Sequence, residues 1–441
     1  MVSRVKKFVY PLVAVIVGLS ILVSVLIVGF LTLNEEGVRS KYALESVYRR
    51  SFYDMCDSVN NLEVNLSKLM VANSKSESVP LITEVSAQAV LAGNSLSALP
   101  FEQSEIITTE KYFNQVSDWC KSYARAVIQS ESVSAFEEQA RELYYTVRSL
   151  NARLREMNKG IDNGMISGRT GERVLLPTGF SFSFASNQTQ SIEYPELIYD
   201  GPFSDAKKSE WHALDGKESV DEDKAKTIVS DMGVSEISFV GKSEGQASIY
   251  SFLGKTEGDE VFVSVLEQGG MVVGYERNKM VSDAIMTQNG AQKKAVDYAK
   301  SLGYGDLSAV WYNAQGGIGF VNLAPVVDGV VYYPDLVKVK IALDDGTLLG
   351  VEASGYCANN RERNLSALIS EKTALSLVSK KLDIKSVRLA VIPDDAGREW
   401  LCYEVNGQYE DLDYFVYIDA INGCQRDILR VVNNDQGSLV M

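Results

Sequence analysis

From Phe8 to Leu33 the chain runs for 26 residues without a charged side chain. At about 1.5 Å of rise per residue such a helix exceeds the roughly 30 Å hydrocarbon core of a bilayer, and it is too long for the apolar stretch of roughly 7–15 residues in a cleavable signal. The run therefore predicts a transmembrane anchor. No small-residue cleavage site follows, since it ends in Leu31-Thr32-Leu33-Asn34-Glu35-Glu36. Arg4, Lys6 and Lys7 precede it, and Arg39, Lys41, Arg49 and Arg50 follow, so the charge counts nearly tie. A compact basic tail directly before an apolar run is the signal-anchor pattern. The expected topology has residues 1–7 as a cytoplasmic tail, 8–33 as the anchor, and a single-pass protein whose body lies outside.

After the anchor, apolar residues alternate steps of four and three, the seam of a packed helix. The first run is Tyr48, Phe52, Met55, Val59, Leu62, Leu66, Leu69, and the second is Ile82, Val85, Ala89, Ala92, Leu96, Leu99, ending at Pro100. A third is Phe113, Val116, Cys120, Tyr123, Val127. The fourth is Val133, Phe136, Ala140, Leu143, Val147, Leu150, Leu154, Met157, Ile161, entered through the capping pair Ser134 and Glu137. Short polar turns between them predict an antiparallel bundle over 34–162. An apolar face left open for a partner is the alternative use of the same seams.

Gly160, Gly164, Gly168, Gly171 and Gly179 then interrupt any helical period, which marks a linker. Phe180 to Phe184 alternates Phe with Ser, and the segment from Ile192 to Asp205 holds two prolines and three aromatic residues. That segment is too apolar for a free linker and is expected to dock, so 163–216 reads as linker and docking segment. Beyond it the sequence repeats. A short amphipathic helix occurs around Ala225, Ala295 and Ala374, each followed by strand-like runs and a closing hairpin at Gly269-Gly270, Asp345-Gly346 and Asn422-Gly423. Such dipeptides suit tight hairpins because both residues tolerate positive φ. Alanine and last turn glycine are 45, 51 and 49 residues apart. Three helix-plus-antiparallel-sheet modules are expected, over 217–286, 287–362 and 363–434, with 435–441 as a tail.

The residue inventory excludes much chemistry. His212 is the one histidine in 441 residues, so hydrolase triads and most zinc sites have at most one imidazole to use. The net charge of −15 opposes a nucleic-acid surface, whose affinity comes from neutralising phosphates. Gly241-Lys242-Ser243-Glu244-Gly245 matches a nucleophile elbow, but the residues after it have strand composition where a helix is required. Glu236 stands where a phosphate loop needs its first glycine, and Gly316-Gly317-Ile318-Gly319 lacks the helix of a dinucleotide site. Asp344/Asp345, Asp394/Asp395 and Asp221-Glu222-Asp223 read as turn and cap carboxylates. No catalytic residue, metal ligand or cofactor is expected. Of the five cysteines, Cys56 and Cys120 lie on or beside helical seams and read as buried thiols, while Cys402 and Cys424 either pair across strands or stay free.

Three features carry a family resemblance: the helical run Asn61 to Leu69, the segment Thr109-Glu110-Lys111-Tyr112-Phe113-Asn114-Gln115-Val116, and above all Tyr199-Asp200-Gly201-Pro202-Phe203-Ser204 before the three modules. Together they resemble the YpeB family of spore germination proteins, whose C-terminal modules are PepSY domains, and the resemblance covers essentially the whole chain. The resulting fold class is α+β and multidomain: a transmembrane helix, an antiparallel helical bundle, then three PepSY-like modules. The resemblance implies a non-enzymatic protein of the inner spore membrane and adjoining layers. It also implies a partner, the cortex-lytic enzyme SleB, which such proteins accompany and which depends on them as they depend on it. Restraint of cortex peptidoglycan hydrolysis, with release by proteases acting on the linker, follows as an expectation. Tyr199, Asp200, Gly201, Pro202 and Phe203 are the expected partner contact, unless that loop packs the first module onto the linker. Two rivals remain: an extracytoplasmic enzyme acting on peptidoglycan through carboxylates, and a helical-bundle sensor that signals through a partner.

Overall fold

A computed structural model of the chain describes residues 44, 46–99, 103–161, 203, 211, 214–245, 247–394, 397–434 and 437–441. The Phe8–Leu33 run, the glycine-rich linker, Tyr199 to Pro202 and His212 lie outside them. Among the described residues no helix is long and apolar enough to cross a membrane.

Four helices come first: α1 (residues 46–69), α2 (Lys75–Ser97), α3 (Gln103–Gln129) and α4 (Ser134–Ile161). They form an antiparallel bundle, and chain contacts divide the described residues into two compact units. One unit draws on 1–63, 85–121 and 145–187, with a core of Phe52, Val59, Leu62, Val85, Ala89, Phe113, Val116, Val147 and Leu150. Asn151 adds a polar layer there, its Nδ2 donating to Glu63 Oε2 at 2.8 Å and Asn60 Oδ1 at 3.1 Å. The expected seams are the buried ones, apart from the partly buried Tyr48 in α1 and part of α4. There Tyr144 and Asn151 are buried and Leu143 only partly. A straight helix drifts away from a strict seven-residue repeat, which moves the seam by one position. The expected cap is also displaced: the Glu137 N–H bonds to the Val133 carbonyl at 3.0 Å, and the Ser134 hydroxyl faces Ser132.

The second unit holds 64–84, 122–144 and everything described beyond 188. Three helix-plus-strand repeats build its sheet. The first is α5 (Glu222–Asp231) with β1 (Ser235–Ser243), β2 (Ile249–Thr256), β3 (Asp259–Leu266) and β4 (Val272–Arg277). The second is α6 (Gln288–Ser301) with β5 (Leu307–Gln315), β6 (Ile318–Val327), β7 (Val330–Tyr332), a 3-10 turn (Tyr333–Asp335), β8 (Val337–Ala342) and β9 (Leu348–Glu352). After α7 (Ser354–Asn359), the third is α8 (Glu371–Leu377) with β10 (Asp383–Pro393), β11 (Glu399–Tyr409), β12 (Leu412–Asp419), β13 (Gln425–Asn434) and β14 (Gly437–Val440). The closing hairpins fall at the expected dipeptides, with Gly270, Gly346 and Gly423 at φ of 63°, 80° and 74°.

Each repeat helix starts on a side-chain cap. Asp221, Thr287 and Ser370 accept from the backbone N–H three residues ahead, satisfying a donor the first turn leaves open. Four residues past each cap stands a fully buried alanine: Ala225, Ala291 and Ala374. A methyl at that point lets the helix lie close on its sheet. The equivalent alanine of the second repeat is therefore Ala291 and not Ala295, which sits one turn later beside Val229 and Val378 in the other copies.

The repeats are fused rather than separate. The strands follow the order β1-β2-β3-β4-β9-β8-β6-β7-β10-β11-β12-β13-β14, with β5 pairing β6. β4 pairs β9 antiparallel, joining repeats one and two, and β7 pairs β10 parallel, joining two and three. The sheet is thus mixed at one seam between repeats, while the strands inside each repeat pair antiparallel.

Candidate functional site at the junction of the second and third repeats

The antiparallel register places Arg388 (β10), Glu404 (β11), Tyr417 (β12) and Asp427 (β13) in one cross-strand row, and cross-strand partners share a face. The 3-10 turn brings Tyr333 over that row. Glu404, only 3% exposed, accepts from Tyr333 Oη at 2.6 Å, Tyr417 Oη at 3.1 Å and Arg388 Nε at 2.6 Å. Arg388 also donates to Tyr333 Oη at 3.0 Å. A buried carboxylate is tolerable only when paired and hydrogen-bonded in this way. Burial first, and Glu404 beside them second, push both tyrosine hydroxyls well above their ordinary range, so they stay protonated and donate.

The two tyrosines wall a socket, and Phe203 fills it. Its ring lies 5.4 Å from Tyr333 and 5.1 Å, edge-on, from Tyr417. The Phe203 backbone is left-handed, at φ 59°. For a bulky residue that costs about 1–3 kcal/mol. Fully burying a Phe ring contributes about 1.5–3 kcal/mol, and an aromatic pair roughly 0.5–1.5 more. Since the ring is half-buried, gain and cost are of the same order. Of the residues expected in the partner contact, Phe203 is the one described, and it points inward against the second and third repeats.

A second tie lies nearby. Arg363, from the segment between α7 and α8, donates to both Asp335 oxygens at 2.8 and 2.9 Å and to both Glu399 oxygens at 2.7 Å. Burial raises the Asp335 carboxyl to about 6 even so. Burial also pushes Glu399 up, but the Arg363 and Arg361 guanidinium groups outweigh it and hold that carboxyl low.

Two family models match the N-terminal helical region and the first two repeats. The YpeB N-terminal model fits residues 37–168, and the model for YpeB sporulation, PepSY1 and PepSY2 domains, fits 180–366. This chain belongs to the YpeB family. Sporulation protein YpeB of Bacillus subtilis (strain 168) is 24% identical over 408 residues, covering 88% of this chain and 90% of that protein. The Halalkalibacterium halodurans protein of the same description is 22% identical over 440 residues, covering 93% and 95%. Among solved structures, the Bacillus megaterium YpeB C-terminal domain is 25% identical and matches with a TM-score of 0.45 over 49% of this chain and all of that one.

Within the second unit, residues 64–84 and 122–144 are seated on the third repeat. The Asn73 N–H donates to Gln425 Oε1 at 3.1 Å and Asn73 Nδ2 to the Leu377 carbonyl at 2.9 Å. Tyr414 Oη donates to the Ser67 carbonyl at 3.2 Å. Lys381 Nζ pairs Glu137 at 2.8 Å, and Arg141 pairs Glu410 at 2.8 Å. Asp427, at the end of the Glu404 row, is a close electrostatic neighbour of Lys68 and Glu77 in this seat.

The motifs set aside on sequence are placed as expected. β1 runs through Ser243 and β2 begins at Ile249, so the element after the G-x-S-x-G match is a strand where a nucleophile elbow needs a helix. Asp221 is a helix cap. Asp344 and Asp345 at the β8–β9 turn hold Lys279 at 3.2 and 3.0 Å. All five cysteines are free thiols, Cys402 buried and Cys424 exposed. Among the described residues no group of three or more His, Cys, Asp or Glu could hold a metal ion. Sequence reasoning missed Glu404, Arg388, Asp335 and Arg363, whose partners are far apart along the chain.

Proposed function

We propose that this YpeB-family chain is a non-enzymatic, membrane-anchored spore germination protein that binds SleB, keeps it stable and restrained, and so controls hydrolysis of cortex peptidoglycan. Family membership over nearly the full length is the observation that carries this reading. The uncharged Phe8–Leu33 run supports a single-pass anchor with the body outside the inner spore membrane. The chemistry of the body supports a scaffold: the buried carboxylates Glu63, Asp335, Glu404 and Asp419 are each held by amide, arginine or tyrosine donors. A carboxylate bound this way is a structural tie rather than a general acid facing substrate. Tyr199, Asp200, Gly201 and Pro202 offer the partner contact, anchored by Phe203.

The test is abundance and association. Spores lacking this chain should contain far less SleB than wild type, and the full chain extracted in detergent should co-purify with the hydrolase. Normal SleB levels together with no co-purification would sink the proposal. Muropeptide release from cortex sacculi by the purified chain would favour the enzymatic rival.

A further inference from the structure

We infer that the outer face of α2 over residues 85–98 is an interface between two copies of this chain. Three observations carry this. First, residues 85–101 hold no charged side chain, in a chain that is 23% charged. Over a similar length α4 exposes Arg141, Glu142, Arg153 and Glu156. A helix on the surface of a bundle places charged residues on its solvent side, and one without a charged side is covered all round. Second, the bundle covers one side of that stretch and leaves the other open. Val85, Ala89, Ala92 and Leu96 are buried, while Ala87, Val90, Leu91, Asn94 and Ala98 are exposed, Val90 at 45% and Leu91 at 50%. Their helical spacing puts these five residues on one face.

Third, charge selects the occupant. The chain carries a net charge of −15, so two copies repel each other except where neither bears charge. The outer face of α2 is such a place. Its nearest acid, Glu84, lies one turn before Ala87 and is an electrostatic neighbour of Lys68. A strongly acidic or basic partner would find nothing here to pair with. One helix face from each copy makes a self-complementary contact, the isologous form that closes as a dimer and recruits no further copies. A contact of this size is weak, so dimer and monomer exchange.

The experiment uses the full chain in detergent micelles, with association followed by sedimentation velocity. The wild type should show a concentration-dependent dimer. Leu91→Glu changes an exposed position and should keep the fold by circular dichroism. It should raise the dimer dissociation constant by about ten-fold or more, because each copy then brings a carboxylate to the other. Ser149→Glu, which adds the same charge to the exposed side of α4, should leave the constant unchanged. A benzoylphenylalanine photo-crosslinker at position 94 gives a second reading that needs no change at Leu91. In a mixture of light and heavy isotope copies it should join residues 85–98 of one copy to those of the other. A chain that stays monomeric, a dimer that Leu91→Glu leaves intact, or a crosslink that joins only residues of one copy overturns the inference. A monomer whose Leu91→Glu form no longer co-purifies with SleB overturns it too, and assigns the face to the hydrolase. The hydrolase is absent from the association measurements, so their failure leaves the proposed function standing.

Discussion

Arg363 is 5% exposed at its side chain, and it holds two carboxylates, Asp335 at 1% and Glu399 at 18%. Its guanidinium also lies 5.2 Å from the centre of the Tyr332 ring. Removing one member of a buried charge cluster costs more than the cluster contributes, because the remaining charges are stranded away from water. Arg363→Ala should therefore lower stability by about 3–5 kcal/mol at neutral pH. The sign of the pH dependence separates this from lost packing. Asp335 already has its carboxyl raised to about 6 by burial, so the folded protein favours its protonated form, a contribution that is complete below the ordinary value of 3.8 and lost as pH rises through 6. Without Arg363, Asp335 and Glu399 would both take up protons more readily. The deficit of Arg363→Ala against wild type should shrink between pH 7 and pH 5. Thermal melting at both pH values checks this, and a deficit that does not change with pH would assign the loss to the stem of the side chain. The thiols give a quieter example of the same physics. Burial pushes Cys120 and Cys357 to about 12, which leaves them inert at neutral pH.

At the scale of the element, what could be read from the sequence depended on how far apart the interacting residues lie. Helix seams and hairpin turns are local: a step of three or four residues names a buried face, and Gly-Gly, Asp-Gly or Asn-Gly names a tight turn. The three hairpins accordingly stand where the dipeptides put them. The caps were legible only as acids or hydroxyls before a helix, and Ser134 shows the limit, since Val133 supplies the carbonyl that starts α4. The fusion of repeats through β4–β9 and β7–β10 left no local trace. Edge pairing is decided by which edges meet, and a β7 of three residues has no period to detect. The Glu404 and Arg363 ties are invisible for the same reason. Glycine positions separate two local constraints. A Cβ on Gly254 in β2 would overlap Val234 Cγ1 and lie 2.8 Å from the Ser235 carbonyl oxygen, so the chain entering β1 leaves no room for it. Gly258, at φ 95°, has nothing within 4 Å and is constrained by its backbone alone. Gly254→Ala should cost about 1–3 kcal/mol through overpacking of the first repeat. It should also increase hydrogen exchange in β1 and β2 while β10 to β12 keep their protection. Gly258→Ala should raise exchange only at the β2–β3 turn. Equal, global effects of the two would contradict this assignment.

At the scale of the whole molecule, the seat of residues 64–84 and 122–144 on the third repeat is where the chain's acidic balance acts on its architecture. Glu77 on α2 faces Asp427 on β13, with Lys68 on α1 close to both and Arg430 on β13 and Glu84 on α2 near Lys68. Burial first, and Asp427 second, raise the Glu77 carboxyl from its ordinary 4.5 to about 8, against the opposing pull of Lys68. Burial likewise moves Lys68 down, so the seat disfavours charge of either sign. A group whose folded pKa is raised stabilises fully below its unfolded value, and that stability is lost as pH climbs through the folded one. For Glu77 the window runs from 4.5 to about 8. Lys68 works in the opposite direction, losing stability as pH falls through its lowered value, so the pH profile of the wild type alone would mix the two. Glu77→Gln isolates the acid, because the amide keeps the shape and cannot ionise. Its stability relative to wild type should rise steadily from pH 5 to pH 9, read as the difference in melting temperature. Hydrogen exchange over 64–84 should become slower in the variant than in the wild type at the alkaline end. A difference that is flat with pH would show that Glu77 ionises freely, and the seat of the helix tips would then rest on contacts such as those of Asn73, Tyr414, Lys381 and Arg141.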